Sequence, residues 1–266
     1  MPEALAVSPI PAPYYRTVST ELETFHAACR VGAPVLLKGP TGCGKSRLVE
    51  AMAHALGLRL VTVACNDETS AADLLGRWLV RGGDTLWQDG PVTRAVREGA
   101  LLYLDEIAEA REDVIVVLHP LADHRRELFV DRHDERLLAP PGFQLVVSFN
   151  PGYRRGIKDL KPSTRQRFIA IALDYPPAPI EEEIVAMESR CERGVSSRLV
   201  GLARKVRALD DLALAETVST RLLVAAGKLI VAGLPPRAAC DAAIVQPLTD
   251  DPETVSALRD LASLAF

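Results

Sequence analysis

Five apolar runs of strand length, at 34–38, 59–64, 100–104, 144–149 and 168–173, recur along the chain, most of them separated by stretches of helical periodicity. The runs are nearly continuous rather than alternating, which is how strands covered on both faces read. Residues 45–56 place Leu48, Val49, Met52, Ala53 and Leu56 on one helical face, and another helix is predicted from Ser19 to about Arg30. This alternation predicts an α/β fold: a five-stranded parallel sheet between helices. Two stretches break the rhythm. Residues 76–91 hold Gly82-Gly83-Asp84 between short alternating runs. Residues 126–141 alternate through Leu128, Val130 and Arg132, turn near His133-Asp134 and return through Arg136-Leu137-Leu138. Both read as β-hairpin insertions. After Tyr175-Pro176-Pro177-Ala178-Pro179 the pattern is helical to the end. An α/β domain over 14–176 and a small all-α domain over 177–266 are therefore predicted, preceded by an extended arm over 1–13 that carries Pro2, Pro9, Pro11 and Pro13.

Composition narrows the function classes. The chain has 266 residues, 48% hydrophobic and 25% charged, as an ordinary globular protein does, so its chemistry must be sought in local motifs. A net charge of −4 offers no basic field for nucleic acid. No apolar run approaches the roughly 20 residues of a membrane span, and no basic segment precedes a hydrophobic one at the N-terminus. Cys29, Cys43, Cys65, Cys191 and Cys240 are scattered, odd in number and form no C-x-x-C pair. That usage points to a reducing cytoplasm and away from a zinc site.

Residues 39–46 read Gly-Pro-Thr-Gly-Cys-Gly-Lys-Ser and lie between an apolar run and an amphipathic helix. This is the phosphate-binding loop pattern in its required context. Gly39, Gly42 and Gly44 let the backbone turn so that the loop's N–H groups face a phosphate, with Pro40, Thr41 and Cys43 as further nucleotide-binding positions of the loop. Lys45 brings a positive charge to the β- and γ-phosphates, and the Ser46 hydroxyl suits Mg²⁺. Residues 100–106, Ala-Leu-Leu-Tyr-Leu-Asp-Glu, end a second strand in two carboxylates. Asp105 suits the Mg²⁺ shell, and Glu106 suits polarisation of an attacking water. Asn150 follows a third strand; leading into Pro151-Gly152 it fits turn chemistry. If that strand lies between the other two, Asn150 instead faces the γ-phosphate or the water. Arg165 and Arg167 precede the last strand, either as solvated surface charges or as groups that reach a phosphate in a neighbouring subunit. Ser219 fits the N-cap of a C-terminal helix, and Arg221 in its first turn opposes the helix dipole, which marks it for function. Trp78 and Trp87 both fall in the first insertion, either packed onto its own helix or serving as an aromatic anchor.

These residues give the chain its resemblance to the AAA+ ATPases of the MoxR group, and within them to the CbbQ/NorQ/NirQ subgroup. The motifs concerned are the phosphate loop, Trp-Gln-Asp-Gly-Pro (87–91), Tyr-Leu-Asp-Glu (103–106), Phe-Asn-Pro-Gly-Tyr (149–153), Lys-Pro-Ser-Thr-Arg-Gln-Arg-Phe (161–168) and Ser-Thr-Arg-Leu-Leu (219–223). The likeness runs from about Tyr14 to the C-terminus. It implies an AAA+ P-loop core with a helical lid that binds ATP and Mg²⁺. It implies Asn150 as sensor 1, Arg221 as sensor 2, and Arg167 as the arginine finger with Arg165 as second candidate. Residues 76–91 would be the helix-2 insert and 126–141 the pre-sensor-1 hairpin. Such proteins assemble as hexameric rings and work with a von Willebrand A-domain adaptor of the CbbO or NorD kind. The client is Rubisco, freed of inhibitory sugar phosphates, or nitric oxide reductase during maturation; the overall likeness favours Rubisco. A non-hydrolysing nucleotide-gated scaffold is opposed by Glu106 and the paired arginines. A small-molecule kinase fits the two insertions and the helical domain poorly.

Overall fold

The computed structural model describes residues 12–151, 160–209, 214 and 216–266. The predicted arm thus lies almost wholly outside the described residues, as do Gly152 and Tyr153 of the fourth motif. Helix α1 (Glu21–Arg30) leads to β1 (Val35–Lys38), and the phosphate loop joins β1 to α2 (Lys45–Leu56). Then come β2 (Leu60–Ala64), α3 (Ala71–Leu75), β3 (Gly76–Arg81), β4 (Asp84–Asp89), α4 (Pro91–Glu98) and β5 (Leu101–Asp105). Next are α5 (Glu112–Leu118), β6 (Glu127–Val130), β7 (Glu135–Leu138), β8 (Gln144–Phe149), α6 (Pro162–Arg165) and β9 (Ile169–Ala172). The rest is helical: α7 (Ala178–Ser189), α8 (Arg193–Arg207), α9 (Thr220–Val231), α10 (Pro236–Cys240), α11 (Gln246–Leu248) and α12 (Pro252–Ala265).

The five strands expected from the apolar runs form one parallel sheet in the order β2-β5-β8-β1-β9. Register pairs Leu36 with Val147 and Lys38 with Phe149 on one side of β8, and Leu104 with Val147 on the other. The carboxyl ends of β1, β5 and β8 therefore lie side by side, where a doubly wound sheet opens its ligand crevice. Alternation along each strand divides the apolar residues between two layers. Val35, Leu37, Leu101, Tyr103 and Val146 bury against Phe25 of α1 and Leu48, Val49 and Met52 of α2. Leu36, Leu102, Leu104 and Val147 bury against Val92 and Val96 of α4 and Val114 and Leu118 of α5. Helices α7 to α12 enclose a core of their own, around Val185, Leu199, Val200, Leu223, Ile244 and Leu258.

The two insertions are antiparallel hairpins, β3–β4 and β6–β7. Arg81 pairs with Asp84, so the first turn is the two residues Gly82 and Gly83, one fewer than the predicted three. Their φ values of 63° and 93° suit the primed turns that follow strand twist, at no steric cost to glycine. The second hairpin turns through 131–133, with Asp134 at φ 49°. The tryptophans do not pack on their own helix alone: they join the two hairpins into one head. The Trp87 ring stacks on His133 at 4.8 Å with planes 2° apart, and Trp78 meets both rings edge-on at 5.4 Å. Trp78 Nε1 donates to the Arg132 carbonyl at 2.9 Å, while Arg97 of α4 bridges Asp89 and Glu135.

Candidate active site

Lys45 opens α2, with Gly44 as its left-handed N-cap at φ 107°. The Lys45 side chain is buried, and its ammonium donates to the carbonyls of Gly39 (2.8 Å) and Pro40 (2.9 Å) and to Asn150 Oδ1 (2.6 Å). Burial lowers its pKa, opposed by the nearby Cys43, Asp105 and Glu106. Asn150 Nδ2 donates to Thr41 Oγ1 at 3.0 Å, so the amide reads the loop through both of its ends. Strand β8 does lie between β1 and β5. The condition set on Asn150 is met, and its side chain lines the same cleft as the loop. Burial pushes the Cys43 thiol up, which favours the unreactive thiol form inside the loop.

Asp105 ends β5 inside a hydroxyl network. Tyr103 OH donates to Asp105 Oδ1 at 2.6 Å, and Ser148 Oγ donates to the same oxygen. Ser46 Oγ lies 3.3 Å from the Tyr103 hydroxyl. Ser46 and Asp105 are hard oxygen donors facing one cleft, and no cluster of three or more His, Cys, Asp or Glu suited to a metal occurs among the described residues. That donor set fits Mg²⁺, which takes one or two protein oxygens and completes its shell with phosphates and water. Glu106 adopts φ 56° and ψ 45°, a left-handed conformation rare for a residue with a Cβ. Its N–H donates to Ser148 Oγ at 3.1 Å, and its exposed side chain lines the cleft. Strain of this kind gathers where a side chain must be aimed.

The cleft has a volume of about 470 Å³, within the range of small-ligand sites. Its floor is Thr41 to Ser46; its far wall is helical, with Ile184 and Glu188 of α7 and Arg221, Val224, Ala225 and Lys228 of α9. Ser219 caps α9 by accepting from Leu222 N–H, as its position predicted. A Cβ on Gly42, at φ +69°, would stand 2.7 Å from Ser219 Cβ and 3.2 Å from Arg221 Cβ, so only glycine lets α9 abut the loop this closely. Tyr14, Tyr15 and Val18 close the remaining side. Tyr14 OH and Arg16 Nε hold Glu183 of α7 at 2.8 and 3.1 Å, and burial, helped by Glu183, pushes the Tyr14 phenol up to about 12. These aromatic and aliphatic residues supply an apolar wall beside the phosphate loop, suited to the base of a nucleotide.

The loop residues, Asp105, Glu106, Asn150 and Arg221 are thus brought together; Arg165 and Arg167 are not. Neither arginine lines the cleft. Arg165 Nε donates to Leu160 O at 2.9 Å, and its guanidinium lies over the Phe149 ring at 5.3 Å. Arg167 pairs with Asp123 at 3.1 Å, while its Nε is buried without a hydrogen-bond partner. Periodicity treats Tyr103 and Ser148 as ordinary strand positions and does not reach the Tyr14–Glu183 contact. The signal available in the chain is a polar side chain one position before the end of each of two apolar runs, 100–104 and 144–149.

Comparison with known proteins agrees with this architecture. Residues 34–168 match the family described as AAA domain (dynein-related subfamily), and 181–265 match the CbbQ/NirQ/NorQ C-terminal family. The chain is 54% identical to the denitrification regulatory protein NirQ of Stutzerimonas stutzeri over 96% of its length and 93% of the relative's. It is 55% identical to protein NorQ of Paracoccus denitrificans over 97% of its length and 95% of the relative's. To protein CbbQ of Hydrogenophilus thermoluteolus it is 52% identical, over 96% and 95%. A solved structure assigned as an ATPase from Cytophaga hutchinsonii superposes with a TM-score of 0.51 at 16% identity, covering 91% of this chain and 81% of that one, which shows a shared fold. Matched along both halves and more than half identical to these relatives over nearly its whole length, the chain belongs to the AAA+ ATPases, in the CbbQ/NirQ/NorQ group.

Proposed function

We propose that the protein hydrolyses ATP in a homo-hexameric ring and spends the resulting motion on remodelling another protein. The observation that carries this is the cleft itself. Phosphate loop, Asp105–Glu106 pair and Asn150 meet at the carboxyl edge of the sheet, directly beneath the helix that presents Arg221. In this reading residues 14–176 are the nucleotide domain and 177–266 the lid. Backbone N–H groups of 39–46 and Lys45 bind the triphosphate. Ser46 and Asp105 hold Mg²⁺, which when bound neutralises charge on the phosphates. Glu106 takes the proton of the attacking water, and Asn150 orients that water. Arg221 ties the γ-phosphate to the lid, so its loss on hydrolysis frees α9 to shift. Arg167 of a neighbouring subunit completes the site, with Arg165 as second candidate; their distance from the chain's own cleft suits a role in trans.

The remodelling step uses a von Willebrand A-domain adaptor of the CbbO or NorD kind, in the cytoplasm. Relatives named NirQ, NorQ and CbbQ stand at 52–55% identity, so a Rubisco activase motor and a motor for nitric oxide reductase maturation draw equal support. Reactivation of sugar-phosphate-inhibited Rubisco, against recovery of active nitric oxide reductase, separates the two.

Subunit mixing tests the shared site. Arg167→Ala and Lys45→Ala should each abolish most turnover alone, the finger being worth about 10³–10⁵ in related phosphoryl transfers. Rings mixed from the two should regain part of it, where an intact finger meets an intact loop. No recovery at any ratio, in rings shown to mix, overturns the shared site; the same experiment with Arg165→Ala decides between the arginines.

A further inference from the structure

We propose that Tyr103 and Ser148 are positioning residues for the divalent cation, and that the single Tyr103 phenol sets the orientation of both protein groups that would bind it, Ser46 and Asp105. This rests on the reading of Ser46 and Asp105 as the Mg²⁺ ligands.

Tyr103 is 1% exposed, and its ring packs in the layer formed by Leu48, Val49, Leu101 and Val146. A phenylalanine would fill that space equally well, so packing alone does not account for the hydroxyl. A buried hydroxyl is costly unless it is hydrogen-bonded. This one reaches three polar atoms: Asp105 Oδ1 at 2.6 Å, Ser148 Oγ at 3.1 Å and Ser46 Oγ at 3.3 Å.

Counting protons assigns the directions. Each hydroxyl has one proton to give. Asp105 can only accept when ionised, so Tyr103 and Ser148 both donate to its Oδ1. Ser148 Oγ is then free to accept from the Glu106 N–H, as it does at 3.1 Å. The Ser46 proton goes to the Tyr103 oxygen, which leaves the Ser46 lone pairs turned elsewhere. Every proton has a place, the 3.1 Å approach of the Tyr103 and Ser148 oxygens being left as a contact without one, and Asp105 Oδ2 receives no hydrogen bond from a described side chain. The carboxylate plane is fixed by two neutral donors, while its charge and its second oxygen stay available to a cation. This is the arrangement by which an outer shell orients metal ligands, and its loss in known sites costs about 10–100-fold in metal affinity.

The two hydroxyls differ in one respect. The Tyr103 hydroxyl touches only the cation's ligands and Ser148. Ser148 also holds the N–H of Glu106 and so supports the left-handed turn that aims that carboxylate. Removing the phenol should therefore raise the Mg²⁺ demand and leave turnover at saturating Mg²⁺ near wild type. Removing the Ser148 hydroxyl should raise the demand and also lower turnover at saturation.

The test is a Mg²⁺ titration of fluorescent ATP-analogue binding to the full chain, starting in excess chelator. Tyr103→Phe should match wild type in chelator and need about ten times more Mg²⁺ to reach half of the gain in affinity. Ser148→Ala should shift the curve in the same direction and provides the answer should Tyr103→Phe fold poorly. Curves for Tyr103→Phe and Ser148→Ala that overlay wild type overturn the inference. A wild-type curve flat in Mg²⁺ while the analogue binds overturns the Mg²⁺ site itself, and the inference with it; no analogue binding at all points instead to the phosphate loop and overturns both.

Discussion

At the carboxyl edge of the sheet, Asp105 receives two hydroxyls and, among the described residues, forms no ion pair. In the helical region Glu181 is wholly buried and receives both Nη atoms of Arg207, at 2.8 and 2.7 Å, and the Thr220 hydroxyl at 2.6 Å. Both carboxylates are held firmly, but among the described residues only the second is in an ion pair. Glu181 joins α7, α8 and the start of α9 into one body, and Arg207 reaches further: its Nε donates to Val218 O at 2.8 Å and its guanidinium lies 3.9 Å from the Tyr175 ring centroid. Tyr175 OH in turn donates to the Thr41 carbonyl of the phosphate loop at 3.0 Å. A buried ion pair is self-complete and serves as a strut keyed to the loop. A carboxylate fixed by neutral donors keeps its charge for something that arrives. Partner chemistry, more than burial, separates a structural acid from a functional one.

Three substitutions sharpen or break this contrast. The largest effect is expected at Glu106, the acid beside Asp105 that likewise forms no ion pair among the described residues. Glu106→Gln should retain ATP yet slow phosphate release by about 10²–10⁴, because an amide cannot accept the proton. Normal hydrolysis in that variant would reduce Glu106 to a turn residue. Next comes Glu181→Ala, which leaves Arg207 uncompensated in the helical core. Denaturant unfolding should show a loss of about 3–5 kcal/mol. A loss below about 1 kcal/mol would mean that the ion pair is no strut. The smallest effect on stability is expected at Asp105→Asn, whose amide oxygen still accepts from Tyr103 and Ser148. Nucleotide-free stability should stay within about 0.5 kcal/mol of wild type, while the Mg²⁺-dependent gain in nucleotide affinity disappears. If this substitution destabilises the free protein as much as Glu181→Ala does, the distinction between the two acids collapses.

Much of the site was legible because its signals are contiguous. The eight residues of the phosphate loop announce a strand, a turn and a helix start within one short stretch, and Asp105–Glu106 sits at the end of an apolar strand for the same reason. Asn150 was legible only conditionally, since its use depends on β8 lying between β1 and β5. The hairpins were legible as hairpins, from alternation and turn residues. Their union was not. His133 stacks on Trp87 across 45 intervening positions of chain, and nothing local in either segment points to the other. The same holds for Tyr14 with Glu183, for Glu181 with Arg207 and for Tyr103 with Ser148.

By itself, then, the order of residues determined the parallel sheet, the phosphate-binding loop and the acids that follow β5, because each depends on the backbone conformation and apolar periodicity of a few neighbouring residues. Only the tertiary structure decided which polar groups share a proton or a charge. It set Ser148 against Asp105, left Arg167 on Asp123 away from its own cleft, and laid Arg221 over Gly42. Such pairings arise when strands distant in sequence align in register and a helix docks within van der Waals contact. Their energy depends on distances of a few ångströms that no spacing along the chain encodes.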